Sequence, residues 1–252
     1  MATTDQHVGI IGGMGPDAGI EFCALLLRKT RAMASASRDQ EHLHITLESN
    51  PKISNRNDAI ERGVGVDEVN AQMEAAAAAL TACDFVVLIC NTAHYFQPAV
   101  MRGLSGTRFL SMIDVCLAKV EAHFTAVGAS TPVGIIGGKG CMVGRVYQDA
   151  LTKKGMEYFV LDEANQDVAM EAIYLVKQGK VEEARVAFKP VLDLMVSEGV
   201  KTIILGCTEI PIIIRENFKL PEGVAFFDSC DLLADAVVRV AKNMSTIEEI
   251  TS

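Results

Sequence analysis

Two cysteines stand out by position. Cys90 closes the apolar run FVVLIC (Phe85–Cys90), and Cys207 closes TIILGC (Thr202–Cys207). A threonine follows closely each time, at Thr92 and Thr208. Each run comes after a copy of one segment: VGIIGG stands at Val8–Gly13 and again at Val133–Gly138. Two similar halves, each ending a strand in a thiol, can set those thiols face to face across one cleft. One thiolate then takes a proton from a carbon while the opposite thiol returns one to the other face. Reversing the direction swaps the roles.

The local setting suits that chemistry. Backbone N–H groups at a strand-to-helix turn attract a carboxylate, and the helix dipole favours the anion. The same field draws a thiol from about 8.5 toward neutrality, so some thiolate exists at pH 7. A carbanion beside a carboxylate needs donors aimed at those oxygens, and such turns supply them. Any single free cysteine is more simply a packing residue. The equivalence of Cys90 and Cys207 in repeated halves tips the balance toward chemistry. Cys23, Cys83, Cys116, Cys141 and Cys230 have no such counterpart and are expected to pack. The seven cysteines show no CxxC pair or zinc-finger spacing, which reads as a reduced, cytoplasmic protein.

The elements that must position these thiols follow from the pattern. Val8–Gly12 is a short buried strand stopped by glycine, followed by a helix near Gly19–Met33. Leu43–Leu47 is a second strand, and Ser49–Asn57 is a polar loop holding Arg56. Val66–Ala82 is alanine-rich and helical, and Phe85–Ile89 is a strand. The second half repeats the order: strand Val133–Ile136, helix Met142–Lys154, strand Tyr158–Val160, helices Gln166–Lys177 and Val181–Glu198. Strands Thr202–Leu205 and Phe226–Phe227 and a helix over Cys230–Asn243 complete it. The expected class is α/β, with parallel sheets flanked by helices and ligands at the carboxyl ends of the strands.

Other chemistries fit less well. Gly13-Met14-Gly15-Pro16-Asp17-Ala18 matches the loose dinucleotide pattern GxGxxA, but Gly138–Val143 breaks it and no acid stands at the ribose position. No cofactor is indicated. His42 and His44, two apart on an expected strand, would share a face, but no third metal ligand accompanies them. His94 could adjust the Cys90 thiol or equally pack its own helix. A net charge of −9 argues against nucleic acid and anionic membranes. It also leaves an anionic substrate dependent on local cations. The apolar runs are too short to span a bilayer, and the first ten residues lack signal-peptide character.

At these residues the chain resembles the aspartate/glutamate racemase family, the cofactor-independent amino-acid racemases. The matching pieces are GIIGGMGP (Gly9–Pro16), DQEH (Asp39–His42), SNPKISNR (Ser49–Arg56), CNTAHYF (Cys90–Phe96), the segment Asp162–Lys180 and GCTEIP (Gly206–Pro211). The SNPKISNR loop looks most like the aspartate racemase branch. The resemblance implies two pseudo-symmetric Rossmann-like domains with the active site in the cleft between them. The halves are expected at residues 1–118 and 119–228, with a final helix within 229–252 packing back on the first. Cys90 and Cys207 become the acid/base pair. Arg56 and Lys177 match the family's basic residues near the side-chain carboxylate. Asn91, Thr92 and Thr208 match its carboxylate contacts, and Met14 lies in the first loop. Without the resemblance, Arg56 reads as a solvated loop charge and Lys177 as a cation at a helix C-terminus.

The implied activity interconverts the L and D forms of an acidic amino acid, aspartate first and glutamate second, in a homodimer. Gly140-Cys141-Met142-Val143 departs from the family, lacking a hydroxyl that would orient substrate, and Ile89 stands where proline is common. The rivals are a maleate isomerase, hydantoin racemase or arylmalonate decarboxylase on the same fold, a non-catalytic amino-acid-binding module, and a dinucleotide oxidoreductase.

Overall fold

The computed structural model describes residues 5–128, 131–215 and 218–252. Both VGIIG segments form central strands buried along their whole length. In the first half β1 (Val8–Gly12) leads through α1 (Pro16–Ala34) to β2 (Ile45–Ser49). The short α2 (Arg56–Arg62) and α3 (Val66–Ala78) then precede β3 (Phe85–Leu88). The half closes with α4 (Gln97–Leu104), β4 (Arg108–Leu110) and α5 (Met112–Val127). The second half runs through β5 (Val133–Gly137), α6 (Lys139–Val143), α7 (Gln148–Lys153), β6 (Tyr158–Val160), α8 (Glu163–Lys177) and α9 (Val181–Ser197). It ends with β7 (Thr202–Gly206), α10 (Ile210–Ile214), β8 (Ala225–Asp228), α11 (Ser229–Ala241) and α12 (Ile247–Thr251).

Each half is a four-stranded parallel sheet, ordered β2-β1-β3-β4 and β6-β5-β7-β8. The topologies correspond strand for strand, and so do the registers. Ile10 pairs with Leu47 and Val87, as Ile135 pairs with Val160 and Ile204. This is the expected pseudo-symmetric α/β class. The third strand of each sheet lies beside the central one, so Cys90 and Cys207 emerge at equivalent points.

The helices close these sheets with apolar stripes. In α1, Phe22, Leu26 and Thr30 are buried at helical spacing, and the stripe meets β1. From α11, Leu233, Val237 and Val238 join that same first core, and Lys29 reaches Asp231 at 2.9 Å and Asp235 at 2.8 Å. The helix α5 serves both halves. Its Met112 and Val115 belong to the first core, and its Ile113, Cys116 and Val120 to the second. The expected boundary at residue 118 therefore falls inside a shared helix.

Several local expectations need correction. The single helix expected over Met142–Lys154 is two short ones, α6 and α7, broken near Arg145, which adopts φ 53°. Arg56 is the first residue of α2 rather than part of a loop, because Asn55 caps the helix by accepting from the Asn57 N–H at 2.9 Å. His42 and His44 both precede β2. His44 stacks instead on His7, with ring centroids 3.6 Å apart.

Candidate active site

The first thiol is set by β3, which is buried on both faces. Past Ile89 the chain curls at Cys90-Asn91 into a 3-10 turn, Thr92–Phe96. His94 pins that turn, its Nδ1 meeting the Cys90 carbonyl oxygen at 2.9 Å. A carbonyl only accepts, so Nδ1 carries the proton. Burial lowers the His94 pKa to about 4, and the ring is neutral at pH 7. Between the two sequence readings of His94, its hydrogen bond goes to the backbone of Cys90, not the thiol.

Asn91 is almost fully buried, and both ends of its amide are occupied. Tyr147 donates to Oδ1 at 2.6 Å, and Nδ2 donates to the Ser229 hydroxyl at 3.1 Å. Tyr147 and Ser229 belong to the second half and gave no sign of this role in the sequence.

The second thiol emerges from β7 through Gly206. Cys207 is half-buried, and its Sγ donates to Glu209 Oε2 at 3.0 Å. Thr208 Oγ1 donates to the same oxygen at 2.9 Å. The other oxygen, Oε1, holds the Lys177 ammonium at 2.5 Å. Burial, and after it the Glu209 charge, pushes the Cys207 thiol well above its ordinary value. Burial also acts to raise the Glu209 pKa, but the Lys177 charge and the three hydrogen bonds outweigh it and the net direction is down. For Lys177 burial acts downward, Glu209 outweighs it, and the net direction is up. Sequence reasoning missed Glu209. Its partner Lys177 lies on α8, and no local pattern links the two.

Arg56 faces the site from the N-terminus of α2. Its Nη1 donates to the carbonyls of Ile53 at 3.1 Å and Ser54 at 3.0 Å, while the buried Nε has no hydrogen-bond partner. This loop is held close by Gly13. A Cβ there would lie 2.4 Å from the Asn50 backbone, and φ is +90°. Asn57 ties the halves together, accepting from the Gly140 N–H at 3.0 Å. A Cβ on Gly140 would fall 2.5 Å from that amide oxygen. The departure from the family at Gly140–Val143 therefore coincides with a tight contact between the halves.

All eight residues singled out from the sequence line one cavity: Met14, Arg56, Cys90, Asn91, Thr92, Lys177, Cys207 and Thr208. The structure brings them together from both halves at the carboxyl ends of both sheets. Glu209, Asn57, Met170, Ile173 and Tyr174 complete the lining with Gly138 and Gly206. The space is small, about 80 Å³. A larger cavity of about 320 Å³ adjoins it between α1, α10 and the end of β8, sharing Lys177, Thr208 and Glu209. Lys139 reaches Asp167 at 3.1 Å and is not in the lining.

The other cysteines sit differently. Cys116 and Cys141 are fully buried, and burial pushes Cys116 up to about 12. Cys230 lines the larger cavity. Among the described residues no group of three or more His, Cys, Asp or Glu is placed to hold a metal, and no helix is long and apolar enough to cross a membrane.

Paired parallel α/β sheets, with a thiol at the same strand end of each and one cavity between, define a class. Residues 11–237 match the family model described as Asp/Glu/hydantoin racemase, and the chain belongs to that family of isomerases. It is similar to the broad specificity amino-acid racemase RacX of Bacillus subtilis, 23% identical over 233 residues, covering 92% of this chain and 96% of that one. An uncharacterized protein in the pnlA 3' region of Pectobacterium carotovorum is 35% identical over 111 residues, 44% of this chain and 70% of that one. Among solved structures, Picrophilus torridus aspartate racemase superposes with a TM-score of 0.72 at 28% identity, over 94% of each chain.

Proposed function

We propose that this chain interconverts the L and D enantiomers of a small acidic amino acid, aspartate first and glutamate second. Cys90 and Cys207 act as the two acid/base groups. The observation that carries this reading is the shared cavity: both cysteines line one small space from equivalent strand ends. The substrate lies between them. One thiolate removes the α-proton, and the opposite thiol protonates the other face of the carbanion.

Backbone donors at the turns after β3 and β7, with the Thr92 hydroxyl, meet the α-carboxylate and stabilise charge as it moves onto those oxygens, and the Thr208 hydroxyl joins them by turning from Glu209 to the substrate. The side-chain amide of Asn91 is engaged within the protein, so its part is to hold the Cys90 turn in place. Arg56 and Lys177 receive the distal carboxylate. The unpartnered Nε of Arg56 supports that role, since a buried N–H calls for an acceptor. Met14 closes one side. The scheme needs no cofactor. The resemblance to the racemases adds a homodimer in the cytoplasm, and the seven free cysteines agree with a reducing compartment.

The test is incubation with L-aspartate in D₂O, followed by proton NMR and chiral chromatography. Loss of the α-proton signal with appearance of D-aspartate supports the reading. An unchanged α-proton refutes it.

A broader substrate range is the second reading. Lys177 already has a counterion in Glu209, which weakens its claim on a dicarboxylate. The adjoining larger cavity offers room for longer side chains. The same D₂O assay across neutral and basic amino acids separates the two readings.

A further inference from the structure

Glu209 joins two groups that the racemase reading assigns to different tasks. Oε1 holds the Lys177 ammonium, at 2.5 Å, where the substrate's distal carboxylate is to bind. Oε2 accepts the proton of Cys207, at 3.0 Å. A binding cation and an acid/base thiol therefore share one carboxylate. The Lys177 ammonium also lies within electrostatic reach of both Cys207 and Cys90.

We propose that Glu209 is a positioning residue that couples arrival of the substrate's side-chain carboxylate to deprotonation of Cys207. The proposal rests on the two-thiol reading above. In the free protein Lys177 keeps Glu209 ionised and a weak base, and Cys207 keeps its proton. A dicarboxylate brings a second anion to the same ammonium. One monovalent cation cannot neutralise both, so the proton affinity of Glu209 rises.

The Cys207 S–H bond then breaks, an O–H bond forms at Oε2, and the negative charge moves from Glu209 to sulfur. In water a thiol is roughly 10⁴-fold less acidic than a carboxylic acid. Burial of Glu209 and the loss of its ammonium both narrow that gap. The thiolate removes the α-proton and is a thiol again, while Cys90 delivers its proton to the other face. As product leaves, Lys177 returns to Glu209, which releases its proton to solvent, and Cys90 takes one up. Protons and charge balance over the cycle.

The test uses a substrate that needs only one base. Loss of HCl from 3-chloroaspartate requires a single α-proton abstraction, so each configuration at Cα reports one thiol. Cys207→Ala identifies the form that Cys207 serves. Glu209→Gln is expected to slow chloride release from that form at least ~30-fold more than from the other. It is also expected to lower KM for aspartate while lowering kcat, because Lys177 is freed for the substrate. Glu209→Asp restores part of the lost rate. β-Chloroalanine lacks the distal carboxylate, so the wild-type protein should favour the form served by Cys90. Equal slowing of both chloroaspartate forms by Glu209→Gln, or no slowing, overturns the proposal and leaves the two-thiol reading standing. Wild-type protein that releases chloride from neither form and does not racemise aspartate overturns both.

Discussion

The phenol of Tyr147 donates to Asn91 Oδ1 at 2.6 Å, joining the core of the second half to the residue after the first thiol. The connection continues. Asn91 Nδ2 donates to Ser229 Oγ at 3.1 Å, and that hydroxyl donates to the Leu205 carbonyl at 3.0 Å. Leu205 lies on β7, two residues before Cys207. The strand ends that carry both thiols are thus linked through two buried side chains, Asn91 and Ser229, with Tyr147 bracing Asn91 from the other side.

Removing one member of this chain leaves a buried polar group without a partner. Tyr147→Phe is expected to destabilise the fold by about 1–3 kcal/mol, as Asn91 Oδ1 loses its donor. Ser229→Ala should act in the same direction, and the double variant should fall short of the sum, because both act through Asn91. Urea unfolding of the three variants checks this. Additive effects would show that the two contacts are independent.

Arg56 is expected to discriminate by substrate charge. Arg56→Ala should raise KM for aspartate at least ~10-fold while altering alanine far less. The same change removes the hydrogen bonds to Ile53 and Ser54, so Arg56→Lys serves as the control that keeps the charge. Steady-state kinetics with both amino acids decide the point. Equal losses would place Arg56 outside the side-chain pocket.

His94 is expected to make stability fall in mild acid. Its folded pKa is about 4, against an ordinary 6.5, because burial disfavours the charged ring. The unfolded chain therefore binds the proton first, and the stabilisation present above pH 6.5 is lost as pH falls toward 4. Between pH 7 and pH 5 this group alone should remove about 2 kcal/mol. Burial also lowers the His7 pKa, with the stacked His44 adding to it, so His7 acts with the same sign. Urea unfolding at both pH values, with His94→Asn compared to wild type, isolates the contribution. Identical slopes in the two proteins would rule it out.

What the sequence made legible was the frame. A strand buried on both faces reads as an unbroken apolar run, so VGIIG, FVVL and TIILG were plain, and with them the places of both cysteines. Contacts between distant segments were not. Lys177 and Glu209 find each other only because α8 and the turn after β7 converge. Tyr147, Asn91 and Ser229 come from three separate elements. Short elements were also missed: β4 offers only Arg108-Phe109-Leu110, and the break between α6 and α7 depends on the conformation of Arg145. Arg56 looked like a loop residue because the cap that starts its helix is a single asparagine among other turn formers.

The reading stands or falls on both thiols serving one substrate molecule. Cys90→Ala and Cys207→Ala, each incubated with L-aspartate and with D-aspartate and followed by chiral chromatography, measure this directly. Neither variant should form the opposite enantiomer at more than ~1% of the wild-type rate. Near wild-type racemisation by either variant would contradict the account.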